Sequence, residues 1–321
     1  VPGLFAVYRK ELGDHFSSAR FILLLTVILM VSVIVAFLTG AGLKTELEGF
    51  AKPSLVFLML FTSTGTLFSL AQFVAFFGPL IGLVLGFDAI NRERVARTLS
   101  KVLAQPIYRD AVLNGKFLAG LTTVVVLLTS IVLLISGLGL WVLGVVPGPE
   151  EVGRLAVYLI VSIVYVGFWL GLAILFSVLL RSTATSALAV LAVWIFLAFL
   201  VPLAATAVAD GVAPLPAGDT RVSVDAVLHH ERLHRAIAYV SPMALYTDAA
   251  DLILDPMRKT TRSLILMGPI ERLSISRFES PLPLAESVLV VAPLLVLLVA
   301  ATFVCFGVCY ACFMRQEVRT A

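Results

Sequence analysis

Long apolar runs alternate with short polar stretches along almost the whole chain. A helix rises about 1.5 Å per residue, so roughly 20 apolar residues cross a hydrocarbon layer ~30 Å thick. Six runs reach that length, at about 21–40, 67–87, 117–143, 155–180, 183–209 and 287–313. None contains Asp, Glu, Lys, Arg or His. The pattern predicts six transmembrane helices. From Pro53 to Phe87 no charge occurs, which is too long a stretch for one helix. Residues 53–66 are too short to cross alone, and Gly65 among Thr62, Ser63, Thr64 and Thr66 marks a break. They read as an interfacial or lengthened outer portion of the second span. A seventh crossing there would reverse every downstream loop.

Composition agrees with this reading. The 321 residues are 60% hydrophobic and 13% charged, whereas a soluble domain carries about 25% charged residues. The fold class is an all-α polytopic membrane protein, placed in the cell membrane. A net charge of +3 makes no case for a nucleic-acid partner. The positions of the cations say more, because Lys and Arg in short loops set orientation. With the N-terminus inside, the cytoplasmic set is Arg9, Lys10, Arg20, Arg92, Arg94, Arg97, Lys101, Arg109, Lys116, Arg181, Arg315 and Arg319. The short outside loops hold only Lys44, Lys52 and Arg154. This predicts an N-in, C-in chain. Residues 1–20 form a cytoplasmic amphipathic lead-in helix rather than a cleavable signal. Residues 21–209 hold five spans, with a cytoplasmic segment at 88–116. Residues 210–286 form an extracytoplasmic subdomain or helices lying at the interface. The sixth span and a cytoplasmic tail occupy 287–321.

The stretch "NRERVARTLSKVLAQPIYRDAVLNGKF" (91–117) gathers Arg92, Arg94, Arg97, Lys101, Arg109 and Lys116 between two apolar flanks. Val95, Leu99, Val102 and Leu103 recur at helical spacing within it, which predicts an amphipathic helix. Gln105-Pro106 would end that helix, since proline disfavours helix at the residue before it. Two roles fit equally from physics alone. The segment is either a basic loop gripping anionic lipid or a docking element for a protein.

The wider stretch "DAINRERVARTLSKVLAQPIYRDAVLNGKFLAG" resembles the connector between spans two and three of ABC type-2 permeases. The matching positions are Glu93-Arg94, Thr98-Leu99, Pro106-Ile107, Arg109 and Gly115-Lys116-Phe117. One departure is plain: the glycine usual before Thr-Leu is Arg97. The N-terminal "FAVYRKELGDHFSSARFILLL" is similar to the family's helix before the first span, with its Lys-Glu pair at Lys10-Glu11. "SPMALYTDAADLILDP" resembles the branch associated with copper-enzyme maturation, the NosY-like permeases. The resemblance covers nearly the whole chain and names no cargo. It implies a dimer of this subunit working with two ATP-binding subunits. The connector would act as a coupling helix in the ATPase, with Glu93, Arg94, Thr98, Leu99, Val102, Pro106 and Arg109 at the contact. Lys10 and Glu11 would belong to the lead-in helix. Beyond these partners it leaves room for membrane lipid and an extracytoplasmic partner protein.

Catalysis is expected elsewhere. The chain has no G-x-x-x-x-G-K-[ST] phosphate loop, since Gly115-Lys116 is followed by Phe117 and lacks the upstream glycine. ATP and Mg would therefore be held by the partner, with no cofactor bound directly. Ion-coupled transporters keep ionisable groups near the midplane, although such groups cost about 2.5–3.5 kcal/mol there. These spans hold no such group and carry hydroxyls, such as Thr122, Thr123, Thr129, Ser130, Ser162 and Ser177, among apolar and aromatic walls. They would line a path for an amphipathic or lipid-like cargo, or pack helix against helix. An ATP-independent transporter or channel, or a scaffold that passes motion to an outside partner, are the alternatives. His229, His230 and His234 form H-H-x-x-x-H, with the last two sharing a helical face as in a metal pair. Glu231, Arg232 and Arg235 interleave them, which favours a solvated amphipathic helix. Cys305, Cys309 and Cys312 lie near one face of the last span and read as small apolar packing residues.

Overall fold

The computed structural model describes residues 2–46, 56–62, 69–98, 108–214, 224–256 and 281–315. Six helices in it are long and apolar enough to cross a membrane, at Ala19–Thr45, Ala71–Val95, Arg109–Leu143, Pro149–Leu179, Thr183–Val212 and Leu284–Arg315. These correspond one for one with the six apolar runs. In chain order the elements are α1 (Pro2–Ser17), α2 (Ala19–Glu46), α3 (Val56–Thr62), α4 (Leu70–Gly86) and α5 (Asn91–Val95). Then follow α6 (Arg109–Leu143), α7 (Pro149–Leu179) and α8 (Thr183–Ile195). A π-turn at Phe196–Leu200 leads to α9 (Val201–Val212), and α10 (Val224–Ala238), α11 (Pro242–Leu254) and α12 (Leu284–Arg315) complete the order. The π-turn has a local cause. Pro202 has no N–H to give and its ring crowds the carbonyl one turn earlier, so the helix widens there and continues.

α7 is the central helix, packed against α4, α6, α11 and α12, and it is the most buried of the six spans. α4 approaches it closely, for which glycine is responsible. A Cβ at Gly82 would lie 2.7 Å from the backbone nitrogen of Leu170, and one at Gly86 2.7 Å from Cβ of Ala173. Gly78 faces Val166 in the same way, at 2.9 Å. Residues four apart share a helical face, so this ladder brings the two backbones together as small residues do in membrane helix pairs. The spacing of these three glycines was in the chain, but its partner was not.

Residues 56–62 form a short separate helix rather than a lengthening of the second span. Phe57, Leu58 and Phe61 are buried, and seven residues reach only about 10 Å along a helix axis. The Phe57 N–H donates to Glu151 Oε1 (3.1 Å) while the Gly148 N–H donates to Glu151 Oε2 (2.7 Å). One buried carboxylate therefore starts α7 and pins α3 to it. α4 opens with its own capping box, Ser69 against Gln72.

The polar region before the last span is helical where it is described. α10 packs on α9, and α11 packs on α7, α12, α4 and α3. α11 sinks into the bundle: Tyr246 and Ile253 are fully buried, and the Tyr246 ring stacks on Tyr165 at 4.3 Å. α11 is thus packed into the bundle.

Candidate functional site

Of the helix expected through Val95, Leu99, Val102 and Leu103, only Val95 lies among the described residues. α5 ends at Val95, and Arg97 takes a left-handed backbone with φ 56°. The Arg97 N–H donates to the Arg94 carbonyl (3.1 Å) and the Thr98 N–H to the Glu93 carbonyl (2.9 Å). This pair of bonds is a Schellman closure, whose left-handed residue is usually glycine. The family's missing glycine thus falls on the one position that needs positive φ. Periodicity cannot foresee such a stop, because side-chain spacing carries no information about backbone sign. Leu99, Val102 and Pro106 lie outside the described residues, and Arg109 opens α6.

Glu93, Glu11 and Lys10 come together on a residue that the sequence offered as a loop cation and a motif position, with no partner. Lys116 projects from α6 with 3% of its side chain exposed. It donates to Glu11 Oε1 of α1 (2.8 Å) and to Glu93 Oε1 of α5 (2.9 Å). Lys10 adds a second, half-exposed ammonium 2.9 Å from Glu11 and 3.7 Å from Glu93. Burial alone would raise the Glu11 carboxyl; the charge and hydrogen bond of Lys116, helped by Lys10, outweigh it and hold the group below its ordinary value. The Gly-Lys-Phe motif now has a residue-by-residue reason. A Cβ at Gly115 would meet Val7 Cγ1 at 2.8 Å, so glycine admits α1. Lys116 binds the two carboxylates, and the Phe117 ring packs on Phe306 of α12 at 4.6 Å. Tyr8 and Thr122 hydroxyls add a bond at 3.1 Å between α1 and α6.

Arg94 works on the other side of α5. Its guanidinium donates to the carbonyls of Leu180 (3.2 Å) and Val178 (3.4 Å), the unsatisfied end of α7. It also donates to Asn91 Oδ1 (3.2 Å), while Asn91 Nδ2 donates to the Ser182 carbonyl (3.4 Å). The Ser177 hydroxyl accepts the Ile90 and Asn91 N–H groups at 3.0 and 3.1 Å. Two of the hydroxyls suggested for a path thus serve joints, since Ser162 likewise bonds Tyr246 at 2.9 Å.

At the other end of α7 sits a second hidden cation. Arg154 is fully buried. It donates to the Ile253 carbonyl at the end of α11 (2.8 Å), to Ser287 of α12 (3.2 Å) and to the Leu282 carbonyl, and pairs with Glu150 at 3.0 Å. Sequence reasoning placed Arg154 in an outside loop, because hydropathy ends a span at its first charge. His229, His230 and His234 lie on α10. His230 Nδ1 bonds the Ala213 carbonyl at 2.9 Å, His229 is exposed, and no three His, Cys, Asp or Glu among the described residues are grouped to hold a metal. Cys305 and Cys309 are buried in α12.

Comparison with known proteins bears on this arrangement. The family described as ABC-2 family transporter protein matches residues 5–318. Over 118 residues, 37% of the chain, it is 30% identical to the probable ABC transporter permease protein NosY of Pseudomonas aeruginosa, covering 38% of that protein. Over 111 residues it is 32% identical to the probable NosY permease of Stutzerimonas stutzeri, covering 35% of this chain and 36% of that one. The matched stretches span little more than a third of either relative.

Proposed function

Because this chain belongs to the ABC-2 family of transporter proteins and is a multi-pass membrane protein, we propose that it is the permease subunit of an ATP-driven exporter. A second copy and two ATP-binding subunits would complete the complex, with ATP and Mg held by the ATPases. The segment 88–116 faces the cytoplasm in this reading and receives their motion. One arrangement carries the proposal. Lys116 binds Glu11 and Glu93 together, so lead-in helix, connector and third span form one mechanical unit. Arg94 and Ser177 tie the same connector to the end of α7. A push on the connector would therefore move α1, α6 and α7 together.

The scaffold reading keeps one observation of its own. α7 is held at its far end by Arg154 to α11 and α12, so motion would arrive there whether or not a cargo crosses. Both readings need the ATPase. The test is co-expression of the permease with an ATP-binding subunit of its own genome, after Leu99→Asp or Pro106→Ala. The variants should insert normally and lose the ATPase on purification. Full co-purification would overturn the docking role of 88–116.

A further inference from the structure

Beside the Lys116 joint lies a cavity of about 230 Å³ between α1, the start of α2 and the end of α4. Its charged wall is Asp14, Arg20, Asp88 and Arg92, and Phe21 and Leu85 give it an apolar side. Glu11 and Lys116 close the back, already bound to each other. The wall's two cations are only partly used. Arg20 spends Nη1 on Asp88 (2.9 Å) and Arg92 spends Nη2 on Asp14 (3.3 Å), and their side chains remain 66% and 57% exposed. Exposed pairs of this kind are worth about 0–1 kcal/mol and exchange easily for a better partner. Each guanidinium keeps N–H donors suited to a phosphate.

The position of the cavity limits the ligand. Arg20 is the second residue of α2, and directly after it come Ile22 and Leu23, exposed apolar side chains at the head of a span. Charged groups meet lipid-facing ones here, as at headgroup depth. The charge pattern limits the ligand further. A bare anion at Arg20 and Arg92 would sit against Asp14 and Asp88, whereas a zwitterion satisfies both signs. Once Arg20 and Arg92 turn to a phosphate, Asp88 loses the Arg20 donor and Asp14 keeps only the half-exposed Lys10 at 3.4 Å, and a primary ammonium supplies N–H donors that a choline lacks.

We propose that this cavity is a binding site for the phosphoethanolamine headgroup of a membrane phospholipid, with the phosphate on Arg20 and Arg92, the ammonium on Asp14 and Asp88, and the acyl chains along Ile22 and Leu23. The inference goes beyond the coupling reading and does not depend on an ATPase. The experiment uses the full permease chain alone, in maltoside micelles, and follows its thermal midpoint. The probes are dioctanoyl phosphatidylethanolamine, the matching choline and glycerol lipids, and free phosphoethanolamine. The ethanolamine lipid should raise the midpoint saturably, with the other two lipids at least tenfold weaker. Arg20→Gln and Arg92→Gln should each weaken the response about tenfold, Asp14→Asn should narrow the preference over choline, and Lys44→Gln at the far end of α2 should change nothing. A non-saturable response, equal response to all three lipids, or full retention in R20Q/R92Q would overturn the site. Equal response to free phosphoethanolamine would overturn the lipid as its source.

Discussion

Replacing Lys116 by methionine tests the joint directly. The substitution keeps the length and apolar body of the side chain and removes only the ammonium. Two carboxylates then remain, Glu11 with 8% and Glu93 with 9% of the side chain exposed. Breaking a buried pair by removing one partner costs about 3–5 kcal/mol, because a charge is left uncompensated. Lys10 is near enough to relieve part of this, so the lower end, about 3 kcal/mol, is the expected loss. At about 2–4 °C per kcal/mol the thermal midpoint should fall by roughly 6–12 °C.

The assay is fluorescence-detected size exclusion after heating the full chain in maltoside at pH 7.5. Two further variants separate charge from packing. Lys10→Met should cost less than about 1 kcal/mol, since that ammonium is more than half exposed. The triple change K116M/E11Q/E93Q removes the stranded charges and should recover most of the loss, as neutral replacement of a whole buried ionic group often does. A K116M midpoint within about 2 °C of the parent, or a triple variant no better than the single, would refute the reasoning.

Arg97→Gly should stabilise the chain by about 0.5–1 kcal/mol, the left-handed cost of about 1–2 kcal/mol less the extra chain entropy of glycine, read as a higher thermal midpoint. Gly82→Ala should destabilise by about 1–3 kcal/mol, because its methyl would press on the Leu170 backbone, which cannot rotate away; an unchanged midpoint would show that α4 and α7 are not in close contact. The His15 imidazole, facing Glu11, Asp88, Arg92 and Lys116, is pushed below its ordinary value of 6.5, chiefly by burial. The unfolded chain therefore takes up a proton before the folded one does, so stability should decline as pH falls below 6.5 until the folded value is passed. His15→Gln should remove that part of the slope. The Glu11 contribution should persist above its ordinary 4.5 and disappear only as pH falls through its depressed value.

The six spans were legible because the bilayer sets their length and apolar residues report it. Their ends were not. α6 begins at Arg109 rather than near 117, and α7 at Pro149 rather than near 155, since the folded chain hides Lys116 and Arg154 among partners no window of sequence contains. Of the residues expected in the connector, Glu93 and Arg94 are engaged, in joints within this chain that tie α5 to α1, α6 and the end of α7. The resemblance named the segment and its Lys10-Glu11 companion, while Lys116, the residue that joins Glu93 to both, was visible only as a loop cation and a motif lysine.

Charge is absent from the middle of every span, and its meaning changes once the fold is known. A helix can carry motion across a membrane only if both ends are held more firmly than its sides. α2, the α8–α9 span and α12 present most of their surface outward, so a push on them is dissipated into lipid. α7 is the most enclosed of the spans, held by Arg94 and Ser177 at one end and by Arg154 and Glu151 at the other. Its ionisable side chains lie only in the first turns, and a glycine ladder fixes its distance from α4. In the coupling proposed above, α7 is the well-anchored route between the two faces among the described residues. Arg154→Met tests this: the connector and Lys116 joint would stay intact, and Tyr246 would still stack on Tyr165, while the bonds from Arg154 to the end of α11 and to α12 were lost, weakening the far anchor of α7 alone.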